Sequence, residues 1–199
     1  MDVTSIRDGL VRRLWPSDTT GFRDHLLRLD IDSRHSRFGG AVSDEFLINY
    51  AERCFGIDDV IYGYVVDGRV RGAGELRGVG HKLPLGFGGA AEAAFSVENG
   101  WRRQGVGAEL MGRIVRAARN RRADALYMSC LASNQAMLRL ARKFSAQLRR
   151  EPDEALAMLE PRGPTPASVF DEASEDSAGF ATAMLDLQRR AFAMRPAAR

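Results

Sequence analysis

The order of apolar and polar residues predicts a chain that alternates between strands and helices. Strands are predicted at residues 11–15, 60–66, 69–77, 90–97 and 125–131, and of these the segments 60–66, 90–97 and 125–131 are largely apolar. Between them, apolar residues recur three and four positions apart, which is the spacing of one face of a helix. This alternation predicts an α/β fold built on a mixed sheet.

Two helices are predicted before the second strand. The apolar face of the first helix would consist of Phe22, Leu26, Leu27 and Leu29. Ser43 is a suitable N-cap for the second helix. The apolar face of that helix would consist of Phe46, Leu47, Tyr50 and Ala51. Residues 32–40, between the two helices, are polar and rich in turn formers, so they are predicted to form a loop.

Glycine and proline mark the connections that follow. Asp67-Gly68 joins two strand-like runs and predicts a tight hairpin turn. Residues 78–89 are rich in glycine around Pro84, and they predict a mobile edge of a cleft. Glu151-Pro152-Asp153 predicts a turn near the end of the sheet.

The last part of the chain has a different character. Residues 163–166 read Gly-Pro-Thr-Pro and interrupt the pattern. We therefore predict one domain at residues 1–161, followed by a linker and an amphipathic helix at residues 162–199. Residues 170–176 are acidic and are predicted to be loose. The apolar stripe of the terminal helix would consist of Phe180, Met184, Leu187 and Ala191. A stripe of this kind must pack, either on the domain or on a second copy in a homodimer.

Composition restricts the class of protein. The chain has 199 residues, of which 45% are hydrophobic, enough for one domain with an appendage. No apolar run reaches the ~20 residues of a membrane-spanning helix, and the first residues lack a signal-peptide pattern. Cys54 and Cys130 are predicted to be reduced, while His25, His35 and His81 lack the spacing of metal ligands. We therefore predict a cytoplasmic protein with no metal and no membrane contact.

The net charge does not indicate nucleic-acid binding. The formal charge is +3 and the isoelectric point is about 9.2, with arginine supplying nearly all of the positive charge. Arginine is suited to bidentate phosphate contacts. No long basic run is interleaved with aromatic residues, however, so a nucleic-acid interface is not predicted.

A glycine-rich turn after the strand at residues 90–97 is the first chemical signal. Arg102, Gly105 and Gly107 lie in this turn, and a segment with helical spacing begins directly after it. Unpaired backbone N–H groups and the positive end of the helix dipole favour a phosphate or diphosphate. The Walker pattern and the dinucleotide-binding pattern are both absent. An ordinary turn with glycines for packing is the alternative interpretation.

A second segment follows the strand at residues 125–131. Ser133 and Asn134 begin a helix, with Ala136 two positions further on. Together, Arg-x-x-Gly-x-Gly-Ala and this Asn-x-Ala segment resemble the GNAT acetyltransferase superfamily over residues 10–161. Either Ser133 or Asn134 would also serve as a plain N-cap. The two segments occur in the family's order, separated by a helix and a strand, which favours the resemblance over chance.

The resemblance implies a fold, a cofactor and a binding site. The fold would be the GNAT fold, a mixed and mostly antiparallel central sheet flanked by helices, here with a C-terminal helical tail. The cofactor would be acetyl-CoA, with its pantetheine arm lying where the strands separate and hydrogen-bonded by the Asn134 side chain. Backbone N–H groups near Phe95, Ser96 and Val97 would hold the thioester carbonyl. The diphosphate would be bound by Arg102, Arg103, Gln104, Gly105, Val106, Gly107 and Ala108.

The resemblance also implies roles in catalysis. Glu92 lies in an Ala-Glu-Ala-Ala-Phe strand, where family members that acetylate lysine carry a general base. Burial in the strand would raise its pKa towards neutrality, although a position on the solvated face of the sheet is the alternative. Arg34, Arg37 and Phe38 would lie on the acceptor side of the cleft, unless the two arginines only solvate a loop. Many members place a tyrosine acid where this chain has Ala141.

Two functions remain after this reasoning. The first is an acetyl-CoA-dependent N-acetyltransferase acting on a primary amine of a protein lysine or a small molecule. Its pattern is most similar to bacterial protein-lysine acetyltransferases. The second is a non-catalytic acyl-CoA-binding regulatory module. Glu92 favours the enzyme, whereas the missing tyrosine at Ala141 favours the module.

Overall fold

A computed structural model describes residues 9–56, 59–78 and 89–193 of the chain. Within these residues there are seven strands and six α-helices, and their bounds agree closely with most of the predicted elements. They follow one another as β1 Leu10–Leu14, α1 Thr19–Arg28, α2 Ile31–Phe38, α3 Asp44–Arg53, β2 Val60–Val66, β3 Arg69–Arg77, β4 Ala90–Val97, α4 Val106–Asn120, β5 Ala125–Leu131, α5 Gln135–Lys143, β6 Gln147–Arg150, β7 Glu154–Leu159 and α6 Pro166–Ala193.

The strands form one mixed sheet in the order β1-β2-β3-β4-β5-β7-β6. Strands β4 and β5 are parallel, and every other neighbouring pair is antiparallel. Asp67 and Gly68 join β2 to β3 with φ values of 47° and 70°. Positive φ at both central residues is the type I′ geometry that matches the twist of a hairpin. The prediction of a mostly antiparallel mixed sheet is confirmed.

Helices cover both faces of the sheet. On one face α4 buries the predicted stripe of Val106, Leu110, Ile114 and Ala117. On the other face α1 and α3 pack through Phe22, Leu26, Leu47 and Ala51. Ser43 caps α3, because its Oγ accepts a hydrogen bond from Phe46 N at 3.1 Å. The predicted first and second helices are therefore confirmed as α1 and α3.

The predicted loop at residues 32–40 is wrong, because this segment contains helix α2. Asp30 caps the helix, its Oδ1 accepting from Ser33 N at 2.8 Å. Gly39 ends it in the left-handed region with φ of 73°. The missed signal is this pair of caps, an aspartate before the segment and a glycine after it. The correction matters because α2 supplies one wall of the cleft described below.

The acidic segment at residues 170–176 is not loose, which is a second correction. It lies inside α6, which packs on β1 and α4. Glu172 Oε1 accepts from Arg121 at 2.7 Å, and Asp176 Oδ2 accepts from Arg13 at 2.9 Å. These carboxylates are ordered because arginines of the body face them.

The buried face of α6 also differs from the predicted apolar stripe. Gly179 and Ala183 are buried against the body, together with Glu172. A Cβ on Gly179 would lie 3.0 Å from Arg12 Cβ, so the small residue allows the helix to approach β1 closely. Phe180 contacts Trp15 edge-on, yet Phe180 and Leu187 remain exposed. The helix thus returns to its own chain through small and charged residues.

One prediction concerns residues outside the described part. The mobile edge predicted at residues 78–89 lies almost entirely within residues 79–88, which are outside it. Among the helices of the described ranges, none combines the length and the apolar character that crossing a membrane requires.

Candidate functional site

A gap in the centre of the sheet organises the site. The parallel strands β4 and β5 pair only through Ala90 with Ala125, Ala91 with Leu126, and Glu92 with Tyr127. Beyond Glu92 the two strands diverge, whereas each keeps its antiparallel partner on the outer side. The separation of strands that the sequence resemblance implied is therefore present.

The backbone of β4 presents hydrogen-bonding groups to this gap. Glu98 N donates to Arg71 O at 3.0 Å, which makes this a hydrogen-bonded pair with β3. Pairs alternate along an antiparallel ladder, so Ser96 also bonds to β3 while Phe95 and Val97 point the other way. The N–H groups of Phe95 and Val97 are consequently directed into the gap, where an acyl carbonyl or amide oxygen would find donors.

The turn between β4 and α4 has the geometry of an anion site. Gly105 is the N-cap of α4 with φ of 87°, a value that suits glycine. Ala108 N and Glu109 N both donate to Gly105 O. The amides of Gly105, Val106 and Gly107 donate to no acceptor within the described residues. Adjacent free amides at a helix N-terminus favour a phosphate.

Arg102 and Gln104 hold this turn in place. Arg102 Nε donates to Val97 O at 3.0 Å, and its Nη2 donates to Ser33 Oγ at 2.6 Å. Gln104 Nε2 donates to Gly100 O at 2.9 Å. The two side chains therefore tie the turn to β4, to α2 and to itself, which fixes the direction of the free amides.

Three adjacent cavities lie along the gap, one after another. The first, here called the loop cavity, has a volume of about 430 Å³ and lies at the turn. It is lined by Ser33, Ser36, Arg37, Phe95, Ser96, Val97, Arg102, Arg103, Gly105, Gly107, Ala108, Asn134, Ala136, Met137, Arg139 and Leu140. Most of the predicted cofactor-binding residues are thus brought together around one space.

The second cavity, here called the strand cavity, lies between the diverging strands and has a volume of about 320 Å³. It is lined by Ser36, Arg37, Phe38, Gly39, Glu92, Ala93, Ala94, Phe95, Ser129, Cys130, Leu131, Asn134, Met137 and Glu154. It shares Ser36, Arg37, Phe95, Asn134 and Met137 with the loop cavity.

The third, the outer cavity, has a volume of about 450 Å³. It is lined by Arg77, Gly78, Gly89, Ala90, Ala91, Glu92, Tyr127, Ser129 and Leu156. Because Glu92 belongs to both the strand cavity and the outer cavity, the three spaces form a path from the free amides to Glu92 and past it.

The prediction that Glu92 is buried is wrong. Its side chain is exposed, because the face of β4 that carries it points to the cleft and away from α4. Arg77 on β3 and Tyr127 on β5 are its neighbours across the sheet. The argument for a base from burial therefore fails, and the structure places Glu92 at the last pair before the strand gap.

Asn134 and Ala141 belong to α5. Asn134 is the N-cap of this helix, with Oδ1 accepting from Met137 N at 3.0 Å. Asn134 also lines the loop and strand cavities. Because the cap uses only Oδ1, the side-chain nitrogen Nδ2 remains available to a ligand. Ala141 is completely buried, and nothing at that position acts as an acid.

The three predicted acceptor-side residues lie in different surroundings. Arg34 donates to Leu27 O and to Asp44, and it lines none of the three cavities described. Arg37 lines the loop and strand cavities, and Phe38 lines the strand cavity. The geometry thus retains Arg37 and Phe38 as candidates and gives Arg34 a structural role.

A buried carboxylate that sequence reasoning missed anchors Arg37. Glu75 on β3 is fully buried, and its Oε1 accepts from Arg37 Nη2 at 2.7 Å. Its Oε2 accepts from Arg77 Nη2 at 2.6 Å and from Tyr50 Oη at 2.8 Å. Burial alone would raise the pKa of Glu75, but the two guanidinium groups outweigh it and hold the pKa below its usual value. Glu75 is therefore an anion that orients both arginines.

A second missed group supports the end of β4. His25 on α1 is fully buried, with Nε2 2.8 Å from Ser96 Oγ and Nδ1 3.2 Å from Glu98 Oε1. Arg28 and Arg71 also donate to Glu98. Burial lowers the pKa of His25, and this outweighs the opposing effect of Glu98. The neutral ring therefore donates from Nδ1 to Glu98 and accepts from Ser96, which fixes β4 against α1.

No cluster of potential metal ligands occurs among the described residues. Cys54 and Cys130 are free and buried. Cys130 lines the strand cavity, and burial raises the pKa of its thiol. The site is therefore built from backbone amides, carboxylates and arginines.

Comparisons with known proteins agree with this geometry. The GNAT domain of PAT from S. lividans has a TM-score of 0.65 and 18% identity, covering 76% of this chain and 90% of that domain. An N-acetyltransferase from Staphylococcus aureus Mu50 has a TM-score of 0.59 and 18% identity, covering 78% and 99%. The protein yncA from Salmonella typhimurium, solved with its cofactor acetyl-CoA, has a TM-score of 0.59 and 14% identity, covering 79% and 96%. A comparison with curated protein sequences finds no match.

These structural similarities, all below 25% identity, concern the fold. The family model described as acetyltransferase (GNAT) family matches residues 23–145, which is more than half of the chain. The match includes β4, the glycine-rich turn and α5, the elements that build the cleft. The chain therefore belongs to the GNAT acetyltransferase family, which uses acetyl-CoA as its acyl donor.

Proposed function

We propose that this protein is an N-acetyltransferase that transfers the acetyl group of acetyl-CoA to a primary amine, with Glu92 as general base. The observation that carries the proposal is the path of cavities. It begins at the free amides of Gly105, Val106 and Gly107, follows the gap between β4 and β5, and reaches Glu92. A long ligand with an anionic end and a reactive end fits such a path.

The residues of this path match the parts of acetyl-CoA. The amides at the start of α4 would bind the diphosphate, and Arg103 and Arg139 line the same cavity as further cations. The N–H groups of Phe95 and Val97 would bond to the pantetheine arm and the thioester carbonyl. Asn134 would donate its amide N–H to the arm. When bound, acetyl-CoA supplies an acyl group activated as a thioester.

Glu92 is placed to prepare the amine. Its carboxylate lines both the strand cavity and the outer cavity, so an amine entering from the outer cavity meets Glu92 before it meets the strand gap. An ammonium ion cannot attack a carbonyl, so a proton must first be removed. Glu92, directly or through water, would accept that proton while Phe95 N–H holds the carbonyl oxygen as it gains negative charge.

The charges of the strand cavity favour a cationic acceptor. Glu92 and Glu154 are exposed carboxylates that line it. They attract an amine that arrives protonated, as the side chain of lysine or a small aliphatic amine does near neutral pH. One neighbour in fold is named as a ribosomal-protein-alanine N-acetyltransferase and another as a PAT domain. We propose a primary amine of a protein or of a small molecule as the acceptor class.

A non-catalytic acyl-CoA-binding module is the second candidate. The observation that favours it is the buried Ala141, which leaves the position of a possible acid without one. In this case acetyl-CoA would bind with the same contacts, but no amine would be acetylated.

Release of free thiol from acetyl-CoA, measured against a panel of amines and lysine peptides, separates the two candidates. We expect turnover by the wild type and a 10²- to 10⁴-fold lower kcat in Glu92→Gln, with CoA affinity retained. Glu154→Gln is the matched control, because Glu154 lines the same cavity but, unlike Glu92, does not line the outer cavity; it should weaken amine binding without the loss of kcat. Tight CoA binding without turnover on any amine would support the module and contradict the enzyme.

Two finer proposals concern the surroundings of the enzyme. The free, buried Cys54 and Cys130 agree with a reducing compartment, and we propose the cytoplasm.

Val169, Phe170 and Leu185 are exposed apolar residues of α6, and they are the surface through which a homodimer would form. Sedimentation equilibrium of the wild type and of Phe170→Asp tests the dimer.

A further inference from the structure

Arg37 stands out among the residues that line the strand cavity. Of the described lining residues it is the sole cation, and Glu92 and Glu154 are the anions. Arg37 also lines the loop cavity, so it lies where the two cavities meet, as do Ser36, Phe95, Asn134 and Met137. This meeting point is where the path passes from the turn into the strand gap.

The guanidinium of Arg37 is held firmly but only partly used. Its Nη2 donates both to Glu75 Oε1 at 2.7 Å and to Tyr50 Oη at 2.6 Å. Its Cζ lies 4.7 Å from the centre of the Phe38 ring. The side chain is only 10% exposed, and its buried Nε makes no hydrogen bond to any described residue, as is also the case for Nε of Arg12, Arg71, Arg77 and Arg116. A buried donor without a partner is costly unless a ligand atom accepts from it.

The proposed reaction produces a charge that needs such a partner. Attack by the amine forms a carbon–nitrogen bond and breaks the carbon–sulfur bond, and the sulfur keeps the electron pair. The proton of the amine goes to Glu92, so it does not neutralise the sulfur. Ala141, the position where many family members carry an acid, is fully buried in α5. The departing thiolate must therefore be stabilised by another group.

We propose that Arg37 is the electrostatic partner of the CoA thiolate as it leaves. This inference rests on the proposed function, because it assigns a residue to the leaving step of that reaction. Arg37 gives up no proton, and the thiolate is protonated later by solvent. A fixed cation beside the sulfur lowers the free energy of the charged product without any acid.

Arg37 remains positively charged over the whole pH range of the experiment. Burial alone would lower its pKa, but the charge of Glu75 and the hydrogen bonds to Glu75 and Tyr50 outweigh burial and raise it. The other titratable or charged groups around the path are Glu92, Cys130 and Glu154 in the strand cavity and Arg102, Arg103 and Arg139 in the loop cavity. A substitution of Arg37 leaves these six unchanged but also removes one of the two guanidinium partners of the buried Glu75, so a control variant has to separate these two effects.

The test measures the pKa of the thiol of bound CoA, followed by the ultraviolet absorbance of the thiolate during a pH titration. This reading needs no turnover. We expect the thiol to titrate at lower pH on the wild type than in free CoA, because a cation within 4–6 Å shifts a pKa by about 1–3 units. Arg37→Gln should raise the pKa of the bound thiol by about one unit or more, and Arg37→Lys should recover most of the wild-type value.

Arg77→Gln is the matched control. Arg77 is the other arginine bonded to Glu75, but it lines neither the loop cavity nor the strand cavity among the cavities described. It should leave the pKa of the bound thiol close to that of the wild type. A shift as large as that of Arg37→Gln would show that the effect passes through Glu75, and it would overturn the proposal.

Each remaining outcome also decides. A bound thiol that titrates like free CoA on the wild type overturns the proposal, whether or not Arg37→Gln folds. An unchanged value in Arg37→Gln overturns it as well. A wild type that does not bind CoA contradicts the proposed function itself, and this result is distinguishable from the other two.

Discussion

Glu92 and Tyr127 form the last pair that joins β4 to β5, and the sheet is open beyond them. Beyond this pair, the backbone N–H groups of β4 that do not bond to β3 point into the cleft. The same residue pair therefore marks both the end of the parallel ladder and the place where the path of cavities reaches the proposed base. Because β5 no longer pairs with β4 beyond this point, the free N–H groups of β4 can donate hydrogen bonds to a ligand.

Amide hydrogen exchange tests this property of β4. We expect Phe95 and Val97 to exchange rapidly in the free protein, because their N–H groups point into the gap, and to become protected when CoA binds. Ser96 is the internal control, since its N–H bonds to β3 and should be protected in both states. Equal protection of Phe95 and Ser96 without CoA would contradict the assigned ladder.

The loop cavity is tested by Gly107→Trp. A Cβ at Gly107 would lie 3.8 Å from Leu140, an ordinary contact, so the helix tolerates a side chain there. The indole would project into the space that the diphosphate needs. We expect CoA binding, measured by calorimetry, to be lost while the unfolding temperature stays within about 3 °C of the wild type.

Gly112→Trp provides the control for that variant. Gly112 lies on the same helix, and a Cβ there meets nothing within 4 Å. It lines none of the cavities described. CoA affinity should be unchanged in Gly112→Trp. Retained affinity in Gly107→Trp would show that the diphosphate site lies elsewhere.

Two substitutions at Asn134 separate its capping role from a cofactor contact. Asn134→Asp keeps the oxygen that accepts from Met137 N but removes the amide donor. We expect the unfolding free energy to be retained and the affinity for CoA to fall about fivefold or more, since one hydrogen bond contributes about 1 kcal/mol. Asn134→Ala should lower both, with a stability loss of about 1 kcal/mol. Unchanged affinity in Asn134→Asp would leave capping as the sole role.

His25 makes stability depend on pH in the mildly acidic range. Its pKa is lowered by burial in the folded protein, so below about pH 6.5 the unfolded chain binds a proton that the folded protein resists. The unfolded state then holds more protons, and stability falls with decreasing pH, by at most about 1.4 kcal/mol per unit. Urea unfolding between pH 7 and 5 measures this slope, and His25→Gln should reduce it.

The exposed His35 of α2 provides the control for this titration. His35→Gln should leave the slope unchanged.

The carboxylate of Glu98 affects stability in a different pH range. Burial alone would raise the pKa of Glu98, but hydrogen bonds from His25, Arg28 and Arg71 lower it to about 2. Its stabilisation is complete above about pH 4.5 and is lost as the pH falls towards 2. If the dependence of stability on pH between pH 7 and 5 persists in His25→Gln, its assignment to His25 is contradicted.

The contact between α6 and the body is tested by Glu172→Gln. Glu172 is buried and accepts from Arg121 at 2.7 Å and from Asn120 at 2.6 Å. Removing its charge should lower the unfolding free energy by about 2 kcal/mol and leave CoA affinity unchanged. The neighbouring Asp171 is exposed, so Asp171→Asn should have no measurable effect on stability. A loss of CoA affinity in Glu172→Gln would indicate that α6 is coupled to the cleft.

Periodicity predicted most of the fold, because each element contains its own signal. The strand at residues 90–97 and the stripe of α4 agree with the structure almost residue for residue. Helix α2 is not predicted because six of its eight residues are polar, so only its caps at Asp30 and Gly39 identify it. Local patterns thus locate elements well and capped polar helices poorly.

The chemistry of the site is best predicted where it resides in the backbone. The turn at Gly105 is encoded locally by glycines, and its geometry agrees with the prediction. The surroundings of Glu75 depend on Arg37 and Tyr50, which come from other elements more than 20 residues away in sequence. Burial of Glu92 was predicted wrongly for the same reason, since no local pattern shows which face of β4 meets the cleft.

The carboxylate of Glu75 divides its two oxygens between Arg37 and Arg77. One of these arginines lines the strand cavity, and the other lines the outer cavity. An engineer who replaces Arg77 to admit a new amine will therefore leave the buried Glu75 anion with one guanidinium partner in place of two, at a cost in stability of the fold. Redesign of acceptor choice in this enzyme has to treat both arginines and their shared anion as one unit.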